Sequence, residues 1–362
     1  MRGWRGPIAA LLLLLMGSAP AEGQYFNLTN LKWLNHRLAG HVDDYTQNHG
    51  EDRRIFSPIL GRSRDLYVYT PPGYDPRRQY PVILWLHMGY VDEHVFVGTP
   101  ALRRLDRMIQ RGEMPPVVIA APDATADGEN RTTAVHSLFV NSRVGRFEDH
   151  LVHEVLPFVM AHYSIRPERE AHGILGLSGG GFGGMSIAIR RRDLFGAVAT
   201  LASPINVRYD DIRPSGPRSS FNPETYRWKE YYDPDEVYGV FSFGLRRTRA
   251  SKYIGPLFGD GPDVNDHLRA LNPADLLFTS GLQPGELAIF CHFGGRDNWN
   301  FDAHALSFAW LAASQGVHVE LVTDPLASHN IHYFRENQED AYRFLGRYLL
   351  PPTGPWMLAP GP

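Results

Sequence analysis

The stretch Gly176-Leu177-Ser178-Gly179-Gly180 decides the fold of this chain. It closes an apolar run, residues 173–177, that predicts a short buried strand, and it precedes a segment of helical character, residues 183–191. Ser178 therefore lies on a tight turn between a strand and a helix. The G-x-S-x-G pattern is typical of a strained turn that raises a serine hydroxyl above a sheet as a nucleophile. The helix N-terminus beside it favours developing negative charge.

A second glycine pattern overlaps the first. Residues 179–184 fit G-x-G-x-x-G, the phosphate-binding turn of dinucleotide enzymes. That site needs an acidic residue about 20 positions further on, whereas the next predicted strand, residues 196–201, leads into Ala202-Ser203-Pro204. A Gly-Lys-Ser/Thr sequence does not follow either, which excludes a P-loop. A nucleotide site is not favoured, and the alternative for Ser178 is an incidental serine in a glycine-rich loop.

The first 21 residues are predicted to be an export signal. Arg2 and Arg5 form a positive beginning, residues 8–16 are apolar, and Ala19-Pro20-Ala21 provides small residues at a cleavage site. The apolar run is shorter than the roughly 20 residues that cross a bilayer. We therefore expect a secreted or periplasmic protein without stable membrane insertion. The alternatives are a buried N-terminal helix or an uncleaved anchor.

Charge and cysteine content narrow the classes of partner. Removing two arginines with the signal changes the net charge from −3 to −5, which gives no reason to expect nucleic acid as a partner. The one cysteine, Cys291, lies in an apolar run and is predicted to be buried and inert. His150 and His153-Glu154 resemble a zinc-binding helix, but their order matches neither H-E-x-x-H nor H-x-x-E-H. We expect no metal and no cofactor.

The remainder of the chain alternates between predicted strands and helices, as expected of a largely parallel sheet covered by helices on both faces. The predicted strands are residues 65–70, 81–87, 116–121, 173–177, 196–201, 287–293 and 317–323, and the predicted helices are residues 31–38, 99–111, 147–162, 183–191, 303–315 and 336–350. The alternation predicts an N-terminal extension at 22–60, a core at 61–204 and 281–350, and a flexible tail at 351–362.

Residues 205–280 interrupt this alternation and are rich in proline, arginine, aspartate and aromatic residues. The segment is too long for a plain loop in a compact domain, so we predict an inserted cap over the sheet edge. Trp228 and Tyr232 are predicted to shape the substrate entrance. The alternative is that these rings form the small core of the cap itself.

A serine nucleophile needs a histidine base and an acid that orients it, and in hydrolase sheets these follow in the order serine, acid, histidine. Asp297 is the first carboxylate after the predicted strand 287–293, and His329 lies in the loop after the next strand. We predict that Ser178, Asp297 and His329 form the catalytic set. The other candidates are Asp302, better explained as a helix N-cap, Asp324, which leads a turn, and His332.

The tetrahedral intermediate of acyl transfer needs two backbone N–H donors. Gly179 is predicted to provide one, because it follows the nucleophile directly. The loop after residues 81–87 is predicted to provide the other, from Met88 or Gly89. Tyr90, the next residue of that loop, is predicted to contact the substrate.

The sequence resembles the putative esterase family of α/β-hydrolases, which includes esterase D (S-formylglutathione hydrolase), feruloyl esterases, enterochelin esterases and secreted mycolyltransferases. The matching stretches are Tyr67-Val-Tyr-Thr-Pro-Pro-Gly-Tyr-Asp75, Tyr80-Pro-Val-Ile-Leu-Trp-Leu-His87, Arg146-Phe-Glu-Asp149 with Glu154-Val-Leu-Pro157, the glycine-rich residues 176–184, and Asp193-Leu-Phe-Gly-Ala-Val198. The resemblance implies an α/β-hydrolase fold with Ser178, Asp297 and His329 at the catalytic positions. His87-Met88-Gly89 departs from the usual His-Gly-Gly.

The predicted function is an exported serine ester hydrolase that forms an acyl-enzyme on a small-molecule or carbohydrate-linked ester. One alternative is an acyltransferase with the same catalytic residues, in which a sugar or lipid hydroxyl replaces water. Another is a non-catalytic binding protein on this scaffold. A peptidase would share the fold but has no further support.

Overall fold

The computed structural model describes residues 30–128, 135–211, 220–241 and 246–354. The predicted export signal, residues 1–21, and residues 355–362 of the predicted tail lie outside them. Among the described residues, no helix combines the length and the hydropathy needed to cross a bilayer.

One eight-stranded sheet organises the chain. Its strands, in chain order, are β1 (His41–Tyr45), β4 (Leu66–Thr70), β5 (Val82–Leu86), β6 (Val118–Pro122), β9 (His172–Leu177), β10 (Ala197–Leu201), β15 (Ala288–Gly294) and β16 (Val319–Asp324). Across the sheet the order is β1-β4-β6-β5-β9-β10-β15-β16. The β1–β4 and β4–β6 pairs are antiparallel, and all the others are parallel.

Within the described ranges, four short antiparallel ribbons accompany the sheet. They pair β2 (Ile55–Ser57) with β3 (Arg62–Arg64), β7 (Asn141–Ser142) with β8 (Gly145–Arg146), β11 (Tyr209–Asp211) with β12 (Tyr226–Trp228), and β13 (Val237–Phe241) with β14 (Arg246–Arg249). The last two ribbons lie within the predicted cap.

Helices cover both faces of the sheet. In chain order they are α1 (Leu31–Arg37), α2 (His94–Gly98), α3 (Pro100–Gln110), α4 (Phe147–His150), α5 (Leu156–His162), α6 (Gly179–Arg190), α7 (Ser251–Phe258), α8 (Val264–Leu271), α9 (Pro273–Thr279), α10 (Phe301–Ser314), α11 (Ile331–Glu336) and α12 (Gln338–Tyr348). A π-helical turn, Leu151–Val155, joins α4 to α5. The predicted helix at 147–162 is therefore helical throughout but not α-helical throughout.

Successive side chains of a strand point to opposite faces, and both faces of this sheet are buried. Leu84 belongs to a core on one face, where it packs with residues of α5, α6, α9 and α10. Its neighbour Trp85 belongs to the core of the other face, with residues of α3, α11 and α12. A third, smaller core lies under α7 and α8 and includes Phe182 of α6. The cap is thus packed directly onto the helix that begins at the predicted nucleophile.

Three details differ from the sequence predictions. The N-terminal extension at 22–60 contains β1, so the core sheet begins earlier than residue 61; the mixed polar sequence of residues 41–45 concealed this edge strand. The predicted closing helix at 336–350 corresponds to α12, which runs from Gln338 to Tyr348, and a separate short helix, α11, ends just before it at Glu336. Asp302 is not an N-cap, because α10 begins at Phe301 and its cap residue is Asn300, with φ of 61°.

Candidate active site

Ser178 has a backbone conformation that few non-glycine residues adopt. Its φ is 49° and its ψ is −117°, between the end of β9 and the start of α6. Such a conformation costs on the order of 1–3 kcal/mol and persists only where the surrounding structure enforces it. Here the Ser178 N–H donates to the Leu201 carbonyl at 2.9 Å, which anchors the turn to the end of β10.

The two glycines of the G-x-S-x-G pattern allow this turn to form. A Cβ atom on Gly176 would overlap the backbone of Gly181, and one on Gly180 would overlap the carbonyl oxygens of Leu86 and His87. The N-terminus of α6 therefore lies against the ends of β9 and β5 with no room for a side chain. Because of this contact, any residue other than glycine would displace Ser178 from the end of the sheet.

His329 lies within hydrogen-bond distance of Ser178. The Ser178 Oγ and the His329 Nε2 are 3.1 Å apart, and the His329 Nδ1 is 2.9 Å from the Asp297 Oδ2. Since a carboxylate only accepts hydrogen bonds, Nδ1 carries the proton of the neutral ring. The lone pair of Nε2 is then free to accept the serine proton. This assignment rests on the hydrogen-bond network.

Asp297 is fully buried in the turn that follows β15. Its Oδ1 accepts the Trp299 N–H at 2.7 Å, and its Oδ2 accepts from His329. Both oxygens are thus held in place by donors.

The competing candidates lie elsewhere. Asp324 accepts the Leu326 N–H at 3.2 Å within its own turn. Asp302 lies in the first turn of α10, and His332 is exposed on α11. The hydrogen-bonded series that the structure brings together consists of Ser178, His329 and Asp297.

The loop after β5 is fixed by the ring of His87. The Ala124 N–H donates to His87 Nε2 at 3.0 Å, so Nδ1 carries the proton and donates to the Met88 carbonyl at 2.9 Å. In a trans peptide the N–H points away from the C=O, so the Gly89 N–H faces away from His87. The Gly89 nitrogen is 3.8 Å from the position that a Cβ on Gly179 would occupy. Of the two predicted donors in this loop, the geometry favours Gly89 over Met88.

His136 is a residue near the site that sequence reasoning missed. Its ring packs edge-to-face on His87 with centroids 4.9 Å apart, and its Nδ1 accepts the Leu138 N–H at 2.9 Å. Burial, together with the nearby His87, holds the pKa of His136 well below its usual value. The ring is therefore neutral and supports the loop through packing. No sequence pattern marks it, because the ring on which it packs, His87, comes from a distant part of the chain.

Aromatic rings surround the histidine base. Trp299 and Phe301 lie with ring centroids 6.0 and 5.3 Å from that of His329. Tyr253 of α7 packs edge-to-face on Trp299 at 5.1 Å and forms a hydroxyl–hydroxyl hydrogen bond with Tyr90. Tyr90 has φ of 64° and belongs to the same loop as Gly89. The cap thus reaches the site through Tyr253.

The structure does not bring the two predicted cap residues, Trp228 and Tyr232, to the aromatic rings around His329. Trp228 packs on Phe278 at 6.2 Å, and the Arg208 guanidinium lies 5.0 Å above its ring. Tyr232 packs in the small core under the cap. Its N–H donates to the Asn265 side chain at 2.6 Å. The contacts of both residues fit the alternative interpretation, in which these rings form the small core of the cap itself. A sequence pattern identifies buried aromatics without identifying the surface that buries them.

Two sets of residues are candidates for metal binding. His150 pairs with Glu154 at 2.6 Å while His153 is exposed, so these residues do not converge on one point. Among the described residues, the carboxylates of Asp65, Glu93 and Asp123 do converge.

Comparisons with known proteins show the family and the fold of this chain. A family model described as putative esterase matches residues 57–343. The endo-1,4-beta-xylanase Y of Acetivibrio thermocellus is 30% identical over 118 residues, which are 32% of this chain and 10% of that protein. The chain thus matches only about a tenth of the length of this relative.

Solved structures share the fold. A ferulic acid esterase superposes with a TM-score of 0.61 at 16% identity, over 86% of this chain and 100% of its own. An S-formylglutathione hydrolase from Agrobacterium tumefaciens superposes with a TM-score of 0.60 at 12% identity, over 86% and 95%. The predicted α/β-hydrolase fold is confirmed.

The contacts of the cap predict which of its aromatic residues matters to the substrate. Tyr253→Ala should raise KM for bulky esters by roughly three- to tenfold, since an aromatic contact contributes about 0.5–1.5 kcal/mol. Tyr253→Phe keeps the ring and should change KM little. Trp228→Ala should leave KM unchanged.

The measurement is steady-state kinetics on a small activated ester and a bulky ester. Each variant is first checked for folding by circular dichroism. If Trp228→Ala raised KM as Tyr253→Ala does, the entrance would instead lie where the sequence predicted it.

Proposed function

The chain belongs to the putative esterase family, and on this premise we propose that it is a serine carboxylic ester hydrolase whose catalytic triad is Ser178, His329 and Asp297. The observation that carries the proposal is the hydrogen-bonded series from the Ser178 Oγ through His329 to Asp297, with links of 3.1 and 2.9 Å. These separations fall within the range over which a proton passes between a nucleophile and its base.

Acylation follows from this arrangement. The Ser178 Oγ attacks the ester carbonyl carbon while its proton passes to the His329 Nε2. The buried carboxylate of Asp297 stabilises the imidazolium that forms and keeps Nδ1 protonated. When the tetrahedral intermediate collapses, the C–O bond to the alcohol breaks, and the alcohol leaves with the proton from His329. The acyl group remains on Ser178.

Deacylation uses the same groups in reverse order. A water molecule gives a proton to His329 and attacks the acyl carbonyl, and the second tetrahedral intermediate then releases the acid. The proton returns from His329 to the Ser178 Oγ. Because the acid and the alcohol leave in separate steps, a strong alcohol nucleophile competes with water for the acyl-enzyme.

The oxyanion of both intermediates is assigned to two backbone amides, those of Gly179 and Gly89. Gly179 is the first residue of α6, and the first N–H groups of a helix have no partner within the helix. The fixed Met88–Gly89 peptide supplies the other donor. Such donors are preorganised, and removal of one costs about 10²–10³-fold in kcat in other serine hydrolases.

The substrate is proposed to be a small-molecule or carbohydrate-linked ester with an apolar or aromatic portion. The rings of Trp299 and Tyr253 beside His329 support an apolar contact surface. A panel of short-chain, feruloyl, acetyl-sugar and catecholate esters tests this. Equal turnover of all four would contradict a role for these rings in selection.

The fluorophosphonate reaction tests the proposed nucleophile. A fluorophosphonate should attach to Ser178 and to no other residue, because only an activated serine attacks the phosphorus. Peptide mass spectrometry of the labelled protein locates the adduct. Ser178→Ala, which should remain folded and unlabelled, is the control. An adduct at another residue, or none on folded protein, would refute the assignment.

The proposed acid can be tested against its two competitors. Asp297→Asn should lower kcat on the order of 10⁴-fold, as the equivalent change does in chymotrypsin-like serine proteases, because the amide favours the wrong tautomer of His329. Asp324→Asn should be mild, since an amide oxygen still accepts the Leu326 N–H. Asp302→Asn should also be mild.

Kinetics on the three purified variants separate these expectations, with folding checked by circular dichroism. A severe loss at Asp302 or Asp324 together with near-normal activity of Asp297→Asn would assign the acid elsewhere.

Export is proposed from the sequence of residues 1–21, with its two arginines, its apolar run and Ala19-Pro20-Ala21. The mature chain should then begin near Glu22 and be found outside the cytoplasm. N-terminal sequencing of protein from cell fractions measures both. Cytoplasmic protein that retains Met1 would contradict export.

A further inference from the structure

Three buried carboxylates that are not part of the proposed triad converge where β4 begins and β6 ends. Asp65 directly precedes β4, Asp123 directly follows β6, and Glu93 directly precedes α2. Their exposures are 1%, 1% and 0%. One oxygen from each lies within 4.8 Å of an oxygen of each of the others. The cluster therefore joins a helix to two strands of the sheet.

The charges of this cluster do not balance. Among the described residues, the cation in direct contact with it is the Arg64 guanidinium, whose Nη2 lies 2.5 Å from the Asp123 Oδ2. Arg54, which also attracts the Asp65 carboxylate, pairs with Asp52 at 2.7 Å. Three carboxylates around one guanidinium leave an excess of negative charge in a buried site, where unpaired charges are costly.

Two oxygens of the cluster also lack hydrogen bonds. Asp65 uses Oδ1 to accept the Gln47 N–H at 2.9 Å, and Glu93 uses Oε1 to accept from the Asn48 side chain at 2.8 Å. The Asp65 Oδ2 and the Glu93 Oε2 are buried with no hydrogen-bond partner among the described residues. Buried polar atoms almost always have a partner, so these two oxygens are available to bind a ligand.

We propose that Asp65, Glu93 and Asp123 bind one divalent cation, Ca²⁺ by preference. Three atoms no more than 4.8 Å apart can all lie within about 2.8 Å of a common point, which is near the Ca²⁺–oxygen distance of about 2.3–2.6 Å and longer than that of Mg²⁺. A carboxylate-only set is the donor type that hard cations select. The two positive charges of the ion would offset the excess negative charge.

The site has a structural role and does not contact the reacting atoms. Asp123 adjoins Ala124, which positions the ring of His87, and His87 positions the Met88–Gly89 peptide. The ion thus stabilises the region that supports the proposed oxyanion donor. The triad does not depend on it for chemistry.

Calorimetric titration of the full protein tests this proposal. After dialysis against EDTA, Ca²⁺ should bind at one ion per chain, and saturating Ca²⁺ should raise Tm by about 2 °C or more. Glu93→Gln and Asp65→Asn each remove one ligand charge and should weaken binding at least tenfold. Glu148→Gln changes another buried carboxylate, one paired with Arg190 at 2.5 Å, and should bind Ca²⁺ as the wild type does.

Two results would overturn the site. One is the absence of Ca²⁺, Mg²⁺ and Mn²⁺ binding at millimolar concentration, which would mean that protons balance the cluster. The other is Ca²⁺ binding by Glu93→Gln and Asp65→Asn with wild-type affinity, which would place the ion elsewhere. Fluorophosphonate labelling of Ser178 is measured separately, so failure of the metal site leaves the proposed nucleophile untouched.

Discussion

The strained backbone of Ser178 is the constraint on which the site depends. A residue with φ of 49° and ψ of −117° does not stay there by its own preference. It is held because Gly176 and Gly180 let α6 lie directly against the ends of β9 and β5, and because the Ser178 N–H is bonded to the end of β10. Packing of the sheet and its helices therefore supplies the free energy that keeps the serine hydroxyl raised. If α6 packed less closely against the sheet, the backbone strain at Ser178 would fall, and the serine hydroxyl would no longer be held in its position.

The parallel strand order brings the remaining groups to the same place. Strands β9, β10, β15 and β16 are consecutive neighbours in the sheet, so their carboxyl ends meet at one edge. Ser178 follows the first of them, Asp297 the third and His329 the fourth. Residues far apart in the chain thus approach within about 3 Å, the distance at which a proton is transferred. The cap enters between β10 and β15 and adds Tyr253 to this edge without interrupting the hydrogen-bonded series.

Sequence reasoning predicted those parts whose position follows from strand ends. The elbow serine, the first carboxylate after one strand and the histidine after the next required only the order of elements. Sequence reasoning failed where the direction of a side chain decides which residues it contacts. Trp228 and Tyr253 are both aromatic residues of the cap, and no periodicity shows that Tyr253 is the one that faces Trp299. His136 packs on His87 and Asp65 lies beside Glu93 and Asp123, all from distant parts of the chain, and β1 was missed because its residues are mostly polar.

The two outer strands of the sheet have a consequence for how the molecules behave together in solution. In the described part of the chain, β1 and β16 each have a neighbouring strand on one side only, and an open strand edge can recruit a strand from another chain. Here β1 contains Asp43 and Asp44, and β16 contains Glu320, which pairs with Arg347 at 2.7 Å. A foreign strand docking on either edge would bring its side chains beside these carboxylates and partly remove them from water. Charge at both borders of the sheet therefore opposes edge-to-edge aggregation of the folded protein.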